Sequence, residues 1–245
     1  MSWPRRVART LMLGHRGASA LCTENTMSAF RRAIADGADG IELDARMCAS
    51  GEIVVFHDDD LERLAGRKER IDELSWAELS KVELPDQTRI PLLEQVLAEI
   101  PGWINIEIKP PPRSRVAAWS RAVSDVVVAS PARDRVLTTS FHPAVVGWLR
   151  VRRPQLAVGM LFHAGQSAAV RGLHRFVPGL VAVHPHHVLL NAALAGRFRR
   201  RGLAIGAWTV DDPRRARRLI DFGVTAIISN DPGRLRAILE TPTEP

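Results

Sequence analysis

The chain has 245 residues, of which 46% are hydrophobic and 25% are charged, and its formal net charge is +7. This length allows one large domain with a substantial core, and the composition excludes extended disorder. No run of about 18 uncharged apolar residues occurs, so the sequence predicts no membrane-spanning helix.

The amino-terminal residues predict a strand followed by a capped helix. The strand covers 10–15 and ends at His15. The helix covers 24–37, with residues suited to capping at 25–26 and a stop at Gly37. Only a short apolar run precedes His15, whereas a secretory signal needs roughly 7 to 15 apolar residues. We therefore expect an unexported, cytoplasmic protein.

A second strand at 40–47 is followed by a shorter extended run at 52–58, joined through residues 50–51. This short connection predicts a hairpin in which the two runs pair. Residues 59–90 are richer in charge and less regular, which predicts a small insertion before a helix at 91–100.

Short apolar strands then alternate with stretches of helical length, among which is 166–177. These strands are 104–109, 136–141, 157–162, 180–185, 204–210 and 225–230, and a helix at 231–240 follows them. The complete pattern gives eight strand–helix units, for which the economical α/β fold at about 250 residues is a (β/α)8 TIM barrel. The predicted domain covers 1–245. A doubly wound open sheet is the alternative, but GHRGAS at 14–19 matches its glycine-rich turn poorly.

Alternation along two of these strands places carboxylates inside the predicted barrel. Glu42 and Asp44 share one face of the second strand, and their apolar neighbours share the other. Glu107 and Lys109 share a face of the strand at 104–109 in the same way. Because the apolar faces pack on the outer helices, we expect the charged side chains to point inward.

Three inward carboxylates, Glu42, Asp44 and Glu107, would raise one another's pKa unless a cation lay among them. Oxygen ligands select a hard divalent ion, so we expect Mg²⁺ or Ca²⁺. Together with Arg16 and Lys109, such an ion would form an anion site suited to phosphate. The alternative is a core ion pair of Glu107 and Lys109, which would leave the other two acids unexplained.

Two histidines stand at strand ends near these acids. His15 ends the first strand, and His57 ends the apolar run of its hairpin partner. Catalytic groups of a barrel lie at the carboxyl ends of its strands, and imidazole titrates near neutrality, so this pair suits a general acid and a general base. Trp208 is either a wall of the substrate site or barrel packing. His184 either lines the mouth or has a structural role.

Dense arginine occurs at 197–202 and 211–221. Both segments follow amphipathic helical patterns, which favours solvated helix faces, and binding to nucleic acid or another anion is the alternative. We therefore expect a small-molecule substrate and no nucleic-acid partner.

Taken together, these motifs resemble the glycerophosphodiester phosphodiesterase family. The resemblance runs in order through GHRGA at 14–18, ENTMSAFRRAIADGADGIELDARM at 24–47, IVVFHDDDLERLAG at 53–66, INIEIK at 104–109, AWTVDD at 207–212 and AIISNDP at 226–232. It implies a barrel with a small insertion, and a metal-dependent enzyme that hydrolyses glycerophosphodiesters to glycerol 3-phosphate and an alcohol. By motif, it implies that Glu42, Asp44 and Glu107 bind the metal, that His15 and His57 are catalytic, and that Arg16 and Lys109 contact phosphate.

For such an enzyme, we expect His15 to remove a proton from the nucleophile and His57 to protonate the leaving alkoxide. The nucleophile is either water or the glycerol hydroxyl next to the phosphate, which would give a cyclic intermediate. The nearest rival is a lysophospholipase D or sphingomyelinase D-like phosphodiesterase, which shares this layout but typically lacks an insertion such as 59–90. A second rival is a non-catalytic anion or nucleic-acid binding protein.

Overall fold

Eight parallel strands form a closed barrel, because the first strand pairs both with the last and with the second. The structure, a computed structural model, describes residues 3–109 and 113–241. In chain order, its strands are β1 (Leu11–His15), β2 (Gly40–Met47), β3 (Ile53–Val55), β4 (Glu83–Leu84), β5 (Thr88–Arg89), β6 (Trp103–Ile108), β7 (Val136–Ser140), β8 (Ala157–Phe162), β9 (Ala182–Pro185), β10 (Ala204–Ala207) and β11 (Ala226–Ser229). The barrel consists of β1, β2 and β6 to β11, so the predicted TIM barrel is confirmed.

Helices connect successive barrel strands. They are α1 (Met27–Ala35), α2 (Glu62–Ala65), α3 (Trp76–Leu79), α4 (Leu93–Glu99), α5 (Val116–Ala129), α6 (Pro143–Arg152), α7 (Ala168–Gly172), α8 (Ala192–Arg200), α9 (Pro213–Asp221) and α10 (Pro232–Glu240). Several begin at a side-chain cap, as where the Thr26 hydroxyl accepts from the amide of Ala29 at 3.3 Å. No helix in the described part of the chain is long and apolar enough to cross a membrane.

The predicted hairpin is confirmed, since β3 pairs antiparallel with β2. Helices α2 and α3 and the two-stranded sheet of β4 and β5 lie within 59–90, where an insertion was expected. A separate apolar cluster that includes Leu61, Ile71 and Leu79 holds this segment together. The outermost positions of the predicted domain, 1–2 and 242–245, lie outside the described residues.

The connection from β8 to β9 is less helical than predicted. The sequence indicated a helix over 166–177, but α7 ends at Gly172 and a 3-10 turn continues from Leu173–Phe176. Glycine is a poor helix former, and Pro178 cannot continue a helix, so both residues favour this early end.

Two buried layers position the site. Outward side chains of the strands, such as Ile41 and Ile106, pack with the surrounding helices. A second apolar cluster fills the barrel where the strands begin, and it includes Leu13, Leu137 and Trp3. The polar side chains that point into the barrel therefore lie at the carboxyl ends of the strands, where the predicted site residues are.

Candidate active site

Strand register brings the predicted acids together. Asp44 of β2 is the register partner of Glu107 on β6, and Glu42 of β2 is the partner of His15 on β1. Glu42, Asp44 and Glu107 are 4%, 1% and 6% exposed, so all three carboxylates are removed from bulk water. The prediction that these acids point into the barrel is confirmed.

The three carboxylates form one acidic cluster. One oxygen from each lies within 4.8 Å of the others. Burial, followed by repulsion from Asp44 and Glu107, raises the pKa of Glu42 well above its usual value. Burial also raises the pKa of Glu107 to about 7, even though Lys109 opposes that shift. Burial is the largest cause of both shifts, and a cation among the three carboxylates would oppose it.

Two cations and two amides contact the cluster. The backbone amide of Arg16 donates to Glu42 Oε2 at 3.1 Å. The Lys109 Nζ atom lies 2.9 Å from Glu107 Oε1 and 3.4 Å from Asp44 Oδ1, and Arg16 Nε lies 3.2 Å from Asp44 Oδ2. The Asn25 amide donates to Asp44 Oδ2 at 2.8 Å. Burial would raise the pKa of Asp44, but Lys109 and Arg16 hold it well below its usual range.

This donor set fits a hard divalent cation. Only oxygen atoms of Glu42, Asp44 and Glu107 converge, and Arg16 and Lys109 supply two positive charges against three carboxylates. Arg16 also pairs with Glu24 at 2.8 Å, which leaves still less of its charge for the cluster. A core ion pair therefore accounts for Glu107 and Lys109, whereas Glu42 has no cationic side chain within ion-pair distance among the described residues and accepts a hydrogen bond from the backbone amide of Arg16 instead.

His15 is oriented by a chain of hydrogen bonds. Its Nδ1 lies 2.7 Å from Asn230 Oδ1, and the Asn230 amide nitrogen donates to Asp211 at 2.6 Å. Because Asp211 fixes the amide with its oxygen toward His15, Nδ1 carries the proton and Nε2 keeps its lone pair. Burial, followed by the neighbouring Arg16, lowers the pKa of His15.

His57 has a charged partner instead. Its Nδ1 lies 2.6 Å from Asp58 Oδ1, so the ring donates to a carboxylate. The buried Arg46 of β2 donates to the His57 carbonyl at 2.6 Å and 3.0 Å, which fixes the backbone beside β3. Burial lowers the pKa of His57, while Asp44 and Asp58 oppose that shift.

An ion-pair network joins the loops that carry the two histidines. Arg63 of α2 contacts Asp58 at 2.6 Å and Glu24 at 2.6 Å. Glu24 in turn pairs with Arg16, the residue after His15. The insertion thus contributes one side chain that touches both sides of the site.

Trp208 and His184 pack against neighbouring side chains beside the site. Trp208 lies just beyond β10, its ring packs edge-on against Phe141 and His186, and its Nε1 donates to the carbonyl of His184 at 2.8 Å. His184 is only 1% exposed, and burial lowers its pKa to about 3, so the ring is neutral. The geometry therefore favours a structural role for His184 over a place in the lining of the barrel mouth.

Sequence reasoning missed several residues that orient the site, among them Asn25, Asp58, Arg63 and Asn230. Asn25 was interpreted only as part of a helix cap, but its left-handed φ of 56° turns its amide toward Asp44. Asp58 could have been found, because it follows His57 directly. Nothing local to Arg63 or Asn230 indicates their partners, which come from other loops.

The fold and the site define the class, a (β/α)8-barrel enzyme. The family model described as the glycerophosphoryl diester phosphodiesterase family matches residues 15–234, so the chain belongs to that family. Membership in a family of enzymes disfavours the non-catalytic binding protein that the sequence left open.

Individual proteins agree with this assignment. The chain is 29% identical to a glycerophosphodiester phosphodiesterase of Caldanaerobacter subterraneus, over 93% of this chain and 96% of the relative. It is 25% identical to a lysophospholipase D of Rattus norvegicus, over 93% and 85%. A crystal structure of a glycerophosphodiester phosphodiesterase from Thermotoga maritima superposes with a TM-score of 0.78 at 28% identity, covering 95% of this chain and 100% of that one.

Proposed function

We propose that the protein hydrolyses glycerophosphodiesters to glycerol 3-phosphate and an alcohol with the help of a divalent cation. The observation that carries this proposal is the buried cluster of Glu42, Asp44 and Glu107, whose charge Arg16 and Lys109 only partly neutralise. Family membership supports the substrate class. We further propose that the chain works as a single domain in the cytoplasm.

Glu42, Asp44 and Glu107 would hold the cation, either Mg²⁺ or Ca²⁺. When bound, it supplies positive charge that neutralises phosphodiester oxygens and stabilises the charge developing at phosphorus. Arg16 and Lys109 present further donors at the same place and would contact the phosphate. Trp208, half-buried at the end of β10, would limit the space for the glycerol or the headgroup.

The two histidines would move the protons. His15 has a neutral partner and a free Nε2, so it suits the base that takes a proton from water or from the neighbouring glycerol hydroxyl. His57 donates to the Asp58 carboxylate, which favours its protonated form, so it suits the acid that protonates the departing alkoxide. If the glycerol hydroxyl attacks first, water opens the cyclic phosphate afterwards, and the two roles reverse.

Release of glycerol 3-phosphate from glycerophosphocholine and glycerophosphoethanolamine tests the proposal. We expect release to stop with EDTA and to return with Mg²⁺ or Ca²⁺. Glu42→Gln should abolish it, while Glu94→Gln, which removes an exposed carboxylate from α4, should retain it. Release that is unaffected by EDTA, or absent with both metals, would overturn the proposal.

A lysophospholipase D activity is the second candidate, because a relative of that name matches nearly the whole chain. It predicts that lysophosphatidylcholine is cleaved faster than glycerophosphocholine under the same conditions.

A further inference from the structure

Positive charge is concentrated in one part of the chain. The protein has 27 acidic residues, yet none lies between 135 and 210, a segment that contains ten arginines. This segment forms β7 to β10 together with α6 to α8. The side of the barrel opposite β2 therefore has no carboxylate of its own to neutralise its arginines.

These arginines border a groove between α7, with the 3-10 turn that follows it, and α8. Two adjoining hollows of about 340 and 380 Å³ form the groove, and both are lined by Arg175, Arg197 and Phe198. Phe162, Leu189 and Leu194 add to its apolar floor. We call it the arginine groove, with a rim of Arg175, Arg197, Arg200 and Arg201.

The rim side chains are exposed and uncompensated. None of the four forms an ion pair within residues 3–109 and 113–241. Arg200 also lines a larger hollow of about 940 Å³, together with Arg5, Arg6 and Arg199. Thr10 and Thr225, which directly precede β1 and β11, line that hollow too, so the basic surface continues to the end where the strands begin.

Two large apolar side chains stand beside this surface. Phe176 is 79% exposed and Val151 is 77% exposed, and each directly follows or precedes an arginine in sequence. Arg150 donates to the carbonyl of Pro178 at 3.3 Å, which joins the end of α6 to the segment after Phe176. Exposed apolar side chains next to unpaired arginines are typical of proteins that lie on a membrane surface.

We propose that the arginine groove, with Phe176 and Val151, docks the protein onto an anionic phospholipid bilayer. Arginines without partners would pair with lipid phosphates, and the two apolar side chains would enter the interface. A nucleic acid explains the arginines and could stack on Phe176, but it offers no apolar layer for Val151. Because the basic surface extends to the amino ends of the strands, the site at their carboxyl ends would face water and receive dissolved substrates.

Vesicle sedimentation tests the docking. We expect the full-length protein to bind vesicles of equimolar phosphatidylglycerol and phosphatidylcholine, to ignore vesicles of phosphatidylcholine alone, and to dissociate as salt is raised. The variant Arg197→Gln/Arg200→Gln/Arg201→Gln should bind roughly tenfold more weakly or worse. Phe176→Ser should weaken binding by about tenfold at unchanged charge.

A control removes the same amount of charge elsewhere. Arg31→Gln/Arg67→Gln/Arg89→Gln alters exposed arginines of the acid-containing side and should bind vesicles like the wild type. Thermal unfolding of all variants shows that they are folded. Equal weakening in both triple variants, equal binding to both vesicle types, or no binding to either would overturn the proposal. Tighter binding to duplex DNA than to the anionic vesicles, with no effect of Phe176→Ser, would overturn it in favour of a nucleic-acid surface.

Discussion

The two halves of the barrel use their interior in opposite ways. Strands β1, β2 and β6 direct charged or titratable side chains inward, among them His15, Glu42 and Glu107. Strands β8 to β10 place glycines and the neutral His184 at comparable depth, where an added Cβ on Gly206 would lie 2.5 Å from the His184 ring. Ion pairs and hydrogen bonds between polar groups hold the first half, whereas close packing holds the second. Substitutions should therefore fail for different reasons in the two halves.

The largest effect is expected from His57→Ala in the charged half. It should lower kcat for glycerophosphocholine by about 10² to 10⁴-fold, because it removes a proton-transfer group. His163 follows the strand β8 of the other half and is exposed, so His163→Ala should leave kcat nearly unchanged. Steady-state kinetics of both variants measure the contrast. Equal losses of kcat in both variants would show that residues of both halves take part in catalysis.

Packing in the neutral half is tested by Gly206→Ala. Its new Cβ would collide with the enclosed His184 ring, so the free energy of unfolding should fall by about 1 to 3 kcal/mol. Gly147→Ala is the control, because its Cβ would meet nothing within 4 Å in α6, and alanine should add about 0.5 to 1 kcal/mol there. Urea denaturation measures both changes. An unchanged free energy of unfolding in Gly206→Ala would mean that the His184 ring has room to move.

Acid should destabilise the neutral half through His184. Its pKa is about 3 in the folded state against 6.5 for the unperturbed group, so the unfolded chain binds the proton first. Stability from this group is complete above pH 6.5 and is lost as the pH falls toward 3, by up to about 1.4 kcal/mol per pH unit. The slope should be shallower in His184→Gln. An NMR titration of His184 near pH 6 would contradict the expectation.

The smallest effect is expected from Arg63→Ala, which cuts the link between the insertion and the charged half. Arg63 is 47% exposed, so its ion pairs with Asp58 and Glu24 should contribute less than about 1 kcal/mol to stability. Loss of the Asp58 contact should still lower kcat by about threefold, because Asp58 orients His57. Arg63→Lys should restore part of that loss. An unchanged kcat and pH profile in Arg63→Ala would show that Asp58 orients His57 without its contact to Arg63.

The local sequence pattern was sufficient to predict the part of the site that lies on strands. Alternation identified Glu42, Asp44 and Glu107 as inward, and His15 was identified as the end of β1, while His57 lies two residues beyond the end of β3. The same reasoning placed the helix cap at 25–26, and Thr26 is the N-cap of α1, but it did not show that Asn25 turns toward Asp44. Loop residues follow no period, so their orientation was not predictable from the sequence.

The sequence by itself determined the strands, their alternation and the charged groups at their ends, because side-chain direction along a strand depends only on neighbouring residues. Tertiary structure decided which partner each group takes. His15 meets Asn230, which is 215 positions away in sequence, because closure of the barrel places β11 beside β1. Tertiary structure also decides that Arg63 of the insertion reaches Glu24 in the loop after β1. The strength of each of these hydrogen bonds and ion pairs depends on how deeply its groups are buried, and burial is a property of the whole fold.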